Sequence, residues 1–221
     1  MIRVALAGER GKTGGAVAAF LRAAEDVDYV GGFGSDTDAG DFLAQHGPQV
    51  LVDFTQGPAA RPLALAAVAA GAAPVVGSTG MSAEDVDAIE AACGQAGLGG
   101  VVAPNFSVGA VVMMWLAEKA APYFDSVEII EAHAATKLDK PSGTALATAK
   151  RLGGDPPIHS LRLPGIVADQ EVVFGLAGQT LTIAHRTTSR EAYGPGVLLA
   201  IKKVFQERRF YRGMDSILGL D

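Results

Sequence analysis

The sequence predicts an α/β protein: a Rossmann-like doubly wound parallel sheet with an inserted α+β unit. Three observations carry that prediction. Short apolar runs alternate with helix-like stretches through the first hundred residues, the pattern of parallel strands covered by helices. A glycine-rich turn follows the first apolar run directly, and after Phe124 strand-like segments appear with fewer helices between them.

The first strand is Ile2 to Ala7, and a helix begins at Lys12. Strands over Val27 to Phe33 and Val50 to Phe54 follow, then a helix near Ala59 to Ala70. A strand at Pro74 to Val76, a helix over Ala83 to Ala96 and a strand at Gly100 to Ala103 complete a five-strand series. The connections at Gly71, Gly77 to Gly80 and Pro104-Asn105 are short and rich in turn formers, as loops at the ends of such strands are. A helix over Val108 to Tyr123 leads to strands Val127 to Ala132, Glu171 to Phe174 and Thr180 to Thr187, with a helix over Thr144 to Leu152. Leu181, Ile183 and His185 alternate with Thr180, Thr182 and Ala184, so one face of that sheet is apolar and needs a helix or another subunit as cover. The final helix, Gly196 to Phe205, carries Val197, Leu198, Ile201, Val204 and Phe205 and is expected to return to the first unit. The division expected is residues 1–104 with 192–221 in one domain and 105–191 in the other.

Composition narrows the function classes. Of 221 residues, 49% are hydrophobic and 19% charged, the balance of a compact globular chain. No apolar run approaches the roughly 20 residues that cross a bilayer, so no membrane partner is expected. The amino terminus enters a strand pattern at once, without the regions of a signal peptide, which predicts a cytoplasmic protein. Cys93 is the only cysteine, which rules out an intrachain disulfide and a thiolate metal site. The four histidines lack metal-ligand spacing, so no metal is expected. A formal charge of −6 opposes nonspecific nucleic-acid binding, which needs a basic face. Small molecules remain the natural ligands.

Gly8, Gly11 and Gly14 lie between the first strand and the first helix. Side-chain-free backbone there lets N–H groups and the helix start approach a pyrophosphate. The spacing is G-x-x-G-x-x-G rather than G-x-G-x-x-G, and a tight structural turn would use glycine too; the strand before and helix after point to dinucleotide binding. Arg10 and Lys12 add positive charge. The acid that usually accepts from the adenosine ribose should end the second strand, where Gly34 and Ser35 stand. Asp36 fits if the turn is one residue longer, while nearby Asp38 and Asp41 fit solvent-facing acids equally well. The choice between NADH and NADPH stays open.

The stretch Glu131 to Ala145, E-A-H-A-A-T-K-L-D-K-P-S-G-T-A, looks most like an active site. It places His133 and Lys137 on a loop between a strand and a helix, where catalytic groups are usually displayed. From His133 to Arg162 there are five Lys or Arg against two Asp, a basic segment suited to an anionic substrate. Ser142 reads as an N-cap, since no G-x-S-x-G elbow surrounds it. Asp53 reads as ordering its own loop, and His185 as structural.

Together the motifs G-E-R-G-K-T-G at Gly8 to Gly14, D-F-T at Asp53 to Thr55, G-S-T-G at Gly77 to Gly80, A-P-N-F-S at Ala103 to Ser107, K-L-D-K-P-S-G-T-A at Lys137 to Ala145 and G-I-V-A-D-Q-E-V-V-F-G at Gly165 to Gly175 are specific. The chain closely resembles the 4-hydroxy-tetrahydrodipicolinate reductase (dihydrodipicolinate reductase) family, essentially end to end. That resemblance implies a dinucleotide-binding domain, a substrate-binding and tetramerisation domain, and a cytoplasmic homotetramer of lysine and diaminopimelate biosynthesis. It implies NADH or NADPH held by Gly8, Arg10, Gly11, Lys12, Thr13 and Gly14, with Gly77, Ser78, Thr79 and Ala103, Pro104, Asn105, Phe106 lining the nicotinamide side. His133 matches the family's catalytic acid, Lys137 its second proton donor, and Gly143 and Thr144 its binders of a carboxylate on a small anionic dicarboxylate substrate. Ala134 stands where the family typically has a second histidine. That difference motivates two other readings: a same-fold reductase of another cyclic imine or dicarboxylate, and a non-catalytic nicotinamide-binding sensor.

Overall fold

The computed structural model of the chain describes residues 1–220. It divides into two compact units, Met1–Phe106 with Tyr193–Gly219, and Ser107–Ala192.

In the first unit the elements run β1 (Ile2–Ala7), α1 (Lys12–Ala23), β2 (Val27–Phe33), α2 (Ala39–His46), β3 (Val50–Asp53), α3 (Gly57–Ala69), β4 (Ala73–Val76), α4 (Ala83–Ala96) and β5 (Gly100–Val102). The chain then passes through the second unit, which holds α5 (Val108–Ala120), β6 (Ser126–His133), α6 (Gly143–Leu152), β7 (Ile158–Arg162), β8 (Ala168–Leu176) and β9 (Gln179–Thr187). It returns to the first unit as α7 (Tyr193–Glu207), β10 (Phe210–Arg212) and α8 (Asp215–Leu218).

The first sheet has the order β10-β5-β4-β3-β1-β2, and every pairing in it is parallel. Val4 to Ala7 and Val50 to Val52 are almost wholly buried, as strands with helices on both faces must be. The chain steps outward from β1 to β2 and then crosses back to β3. The crevice above the carboxyl ends of β1 and β3 is therefore a topological switch point, where ligands of open α/β sheets bind.

Three elements of this unit, α2, β10 and α8, go beyond the expectation. Helix α2 has only eight residues, and Asp38 caps it by accepting from the Asp41 N–H at 2.9 Å. β10 is three residues long and pairs with β5, so it leaves no period in the sequence; Arg212 fastens it by ion pairs to Asp87 and Glu90 on α4. Cys93 is fully buried, and burial pushes its thiol up to about 11, which suits a packing role.

The second unit is a four-stranded sheet of order β7-β6-β8-β9. β6 runs parallel to β7 and antiparallel to β8, and β8 is antiparallel to β9. Its core joins Met113, Met114 and Ala117 of α5 and Ala145 and Ala149 of α6 to Ile129, Val172 and Phe174 of the sheet. Helix α5 thus supplies part of the cover that the alternation in β9 requires: Ile183 packs against that core, while Leu181 is exposed. His185, on the same face, stands 3.4 Å from the Ser107 hydroxyl at the start of α5. One expectation needs correction. His133 is the last residue of β6, paired with Ala168 and Arg162, and only Lys137 lies on the loop. The strand is longer than its apolar run because its end is hydrogen-bonded on both sides, a tertiary fact that local pattern does not carry. β7 was not expected, since its sequence I-H-S-L-R mixes polar and apolar residues.

Candidate active site

In the first unit, three loops rise from the carboxyl ends of the parallel strands β1, β4 and β5. The first joins β1 to α1. Gly8 adopts φ +88°, and a Cβ there would lie 2.6 Å from the Phe54 carbonyl oxygen. A Cβ on Gly14 would lie 2.1 Å from the Gly8 carbonyl oxygen. Both approaches are closed to any side chain, so the loop folds tightly onto β3 and its own helix. Gly11 is the N-cap of α1 and offers no side-chain acceptor. The first N–H groups of the helix, from Lys12, Thr13 and Gly14, have no carbonyl four residues back to bond. A phosphate could take that place, favoured by the helix dipole. Arg10, Gly11 and Lys12 are exposed at this edge, and Arg10 donates to Asp36 at 2.8 Å. Asp36 lies just beyond β2, and this pairing holds its carboxyl below the ordinary carboxylate range.

The second loop follows β4. Ser78 is buried and donates to Asp53 at 3.0 Å, while Asp53 also accepts from the Thr55 N–H at 2.8 Å. Burial pushes the Asp53 carboxyl up, against the pull of these donors. Asp53 thereby ties the loop after β3 to Gly77, Ser78 and Thr79, in keeping with an ordering role. The third loop, Ala103 to Phe106, follows β5. Ala103 and Phe106 are buried, Pro104 is exposed and Asn105 is partly buried. Phe106 meets Phe54 edge-on with centroids 5.8 Å apart. The cradle that only glycine permits at residues 8 and 14, with its cationic rim, fits the pyrophosphate of a nicotinamide dinucleotide.

In the second unit the chemistry gathers at the end of β6. Residues two apart on a strand share a face, and Glu131 and His133 do so here: His133 Nδ1 donates to Glu131 Oε2 at 2.5 Å. Glu131 is fully buried. Its carboxylate also accepts a two-pronged donation from Arg162 of β7, at 2.9 Å and 2.8 Å. Burial would raise the Glu131 carboxyl, but hydrogen bonds from Arg162, Ser160 and His133 outweigh it, and the group is held below its ordinary value. Burial also lowers His133; Glu131 opposes that, and the nearby charges of Lys137 and Arg162 reinforce it.

The loop after β6 turns at once, with the Lys137 N–H donating to the Ala134 carbonyl at 3.0 Å. Lys137 Nζ pairs with Asp139 at 2.8 Å. Arg162 donates to the Asp139 carbonyl at 2.6 Å, so the same guanidinium braces both the strand end and the loop. Ser142 caps α6 by accepting from the Ala145 N–H at 3.2 Å. Gly143 is exposed and Thr144 partly buried at the first turn of that helix. An imidazole, an ammonium and a helix start thus lie within twelve residues, 133–144. That arrangement can bind carboxylates and carry a proton. Glu131 and Arg162 went unrecognised in the sequence. The i, i+2 spacing of Glu131 and His133 was a usable signal, whereas the approach of Arg162 depends on the pairing of β6 with β7.

Among the described residues no cluster of His, Cys, Asp or Glu could hold a metal ion. No described helix is long and apolar enough to cross a membrane.

Two family models cover most of the chain. "Dihydrodipicolinate reductase, N-terminus" matches residues 2–106 and "Dihydrodipicolinate reductase, C-terminus" matches residues 109–218. The chain is 41% identical to the 4-hydroxy-tetrahydrodipicolinate reductase of Moorella thermoacetica, over 98% of each chain. It is 43% identical to that of Symbiobacterium thermophilum, over 98% of this chain and 97% of the relative. Among solved structures, dipicolinate-bound dihydrodipicolinate reductase from Paenisporosarcina sp. TG-14 superposes with a TM-score of 0.86 at 30% identity, covering 98% of this chain and 99% of the other. A probable dehydrogenase from Thermotoga maritima shares the fold, with a TM-score of 0.72 at 10% identity.

Proposed function

Since the chain belongs to the dihydrodipicolinate reductase family, we propose that it reduces the dehydrated form of 4-hydroxy-tetrahydrodipicolinate to tetrahydrodipicolinate in lysine and diaminopimelate biosynthesis. The protein is an NAD(P)H-dependent oxidoreductase, and its substrate is a small dicarboxylate. The observation that carries the reading is the pairing of His133 with buried Glu131 beside the Lys137 loop and the start of α6.

When bound, NADH or NADPH supplies the hydride. The chain's own residues do the rest. The loop Gly8 to Gly14, with Arg10, Lys12 and Thr13, holds the phosphates, and Gly77, Ser78, Thr79 and Ala103 to Phe106 shape the nicotinamide end. Gly143 and Thr144 take one substrate carboxylate at the start of α6, where the helix dipole favours an anion. Because Nδ1 of His133 is committed to Glu131, Nε2 is the atom free to hold and deliver a proton. Lys137 is the second donor: its ammonium neutralises substrate charge and serves the nitrogen that gains electrons as hydride arrives at the conjugated carbon. Burial and neighbouring cations hold His133 below its ordinary value, so a dianionic substrate raises it and recruits the proton when it is needed.

Relatives of the same name along the full chain favour this reading over a changed substrate or a sensor, although Ala134 offers only a methyl group at its position. Loss of absorbance at the reduced-nicotinamide band, with the substrate generated in place, tests it. Turnover is expected, and tight cofactor binding without oxidation would refute it. The double variant His133→Ala/Lys137→Ala is expected to lose turnover and keep NADH binding; wild-type rates would refute these two roles.

The reading includes a cytoplasmic homotetramer. Its support lies in the second unit, where α5 and α6 cover one sheet face and the other presents partly buried Ile130 and Val173 among Ser126, Glu128 and Thr180 around a shallow depression. A mass of four chains by light scattering is expected, and a monomer at micromolar concentration would refute it.

A further inference from the structure

We propose that Glu131 and Arg162 act together as the positioning pair of the site, fixing the tautomer of His133 and anchoring the loop that carries Lys137. This inference rests on the role given to His133 above and adds two residues to it.

The geometry leaves Glu131 little freedom. It is 0% exposed, an environment that a carboxylate occupies only when paired and hydrogen-bonded. Arg162 Nη1 donates to Oε2 and Nη2 to Oε1, the planar fork that fixes a carboxylate in orientation as well as charge. Oε2 then faces His133 Nδ1. An ionised carboxylate can only accept, so Nδ1 carries the hydrogen and Nε2 is the nitrogen that gains and loses a proton. The remaining hydrogens of Nη1 and Nη2 go to main-chain carbonyls of Leu161 and Asp139, each at 2.6 Å. Asp139 in turn holds Lys137 through its side chain. One guanidinium therefore ties the orientation of His133 to the placement of the Lys137 loop.

A plain structural ion pair would stabilise the sheet and leave His133 chemistry alone. The two roles separate in Glu131→Gln. The amide has a single acceptor oxygen, and the charged fork of Arg162 takes it. The amide NH2 is then left facing Nδ1, which must accept, and the ring hydrogen moves to Nε2. The tautomer is read directly by 15N NMR of histidine-labelled protein, without reference to turnover. The charges acting on the His133 ring are Glu131 on its own strand, Lys137 on the following loop and Arg162 on β7. Removing the one anion leaves two cations, so the pH at which His133 titrates falls.

Three results are expected for Glu131→Gln: a switch to the Nε2–H tautomer, a fall of kcat by roughly tenfold to a hundredfold with NADH affinity unchanged, and a shift of the limb that reports His133 to lower pH. The loss should stay below that of His133→Ala, because a positioned acid contributes roughly 10² to 10⁴ in rate. Glu131→Gln leaves Arg162 buried without its anion. If it fails to fold, Glu131→Leu/Arg162→Met removes both charges and leaves no side-chain acceptor at Nδ1, and loss of the Nδ1–H tautomer is expected there too. Retention of the wild-type tautomer and pH limb in the folded variant would overturn the proposal. His133→Ala separates this from the underlying reading. If that variant turns over normally, the role of His133 fails; if it is inactive while the folded Glu131 variant keeps wild-type tautomer and profile, only the positioning role fails.

Discussion

Gly14→Ala is the sharpest test of the phosphate cradle, because two effects of opposite sign meet at one methyl group. Gly14 lies in the first turn of α1, and replacing a helical glycine by alanine normally gains about 1 kcal/mol. Here the new Cβ would sit 2.1 Å from the Gly8 carbonyl oxygen and 2.8 Å from its carbon. Both contacts are backbone, so no side chain can swing aside. Relief to an ordinary contact of 3.4 Å moves the loop by more than an ångström. Such a displacement removes one or two N–H contacts to a bound phosphate, each about 1.5–3 kcal/mol for a charged acceptor. A loss near 3 kcal/mol corresponds to roughly a hundredfold in Kd. Fluorescence titration with NADH and NADPH measures it directly. Gly15→Ala, whose Cβ would meet the Glu9 carbonyl oxygen at 3.3 Å, and Gly143→Ala, which meets nothing within 4 Å, should both bind NADH within a few fold of wild type. Wild-type affinity in Gly14→Ala, or an equal loss in all three variants, would refute the reasoning.

Other perturbations follow from the same geometry. Phe174→Ala empties a fully buried site in the core of the second unit and should cost about 3–5 kcal/mol; a midpoint of urea unfolding within error of wild type would contradict that core. The Asp53 carboxyl is raised in the folded state by burial, so its folded form holds a proton that the unfolded chain releases. Stability is then lost as pH rises from 3.8 through the folded value. Thermal unfolding across that range should show Asp53→Asn gaining on wild type as pH rises, and parallel curves would count against the burial argument. His185 is depressed by burial, the opposite case, so its contribution is complete above pH 6.5 and is lost as pH falls through the folded value. His185→Gln should flatten that acid-side fall, and an unchanged slope would show that the ring is not held neutral.

Much of the first unit was legible because parallel strands covered on both faces leave continuous apolar runs. The bounds of Ile2 to Ala7 and Val27 to Phe33 match to the residue; each is followed by glycine, although Asp28, Gly31 and Gly32 stand inside the second. The elements missed, α2, β7, β10 and α8, are short, and β7 and β10 owe their existence to neighbours. β7 is held beside β6 and β10 beside β5, and neither carries a period of its own. In the site, the glycines, His133, Lys137 and the Ser142 cap were visible as residue types at telling positions. Their environment was not: nothing local marks Glu131 as buried or Arg162 as its partner.

The sequence by itself determined the alternation of strands and helices, the break after the fifth strand, the glycine turn and the residues able to carry charge and protons. These are local properties, written in periodicity and in what each side chain can do. Only the tertiary structure decided that His133 ends a strand, that its Nδ1 is committed to a buried carboxylate, and that Arg162, 31 residues beyond Glu131, compensates that charge. Burial and long-range pairing depend on where distant segments meet, and a carboxylate in water and one held by a guanidinium inside a sheet are spelled by the same letter.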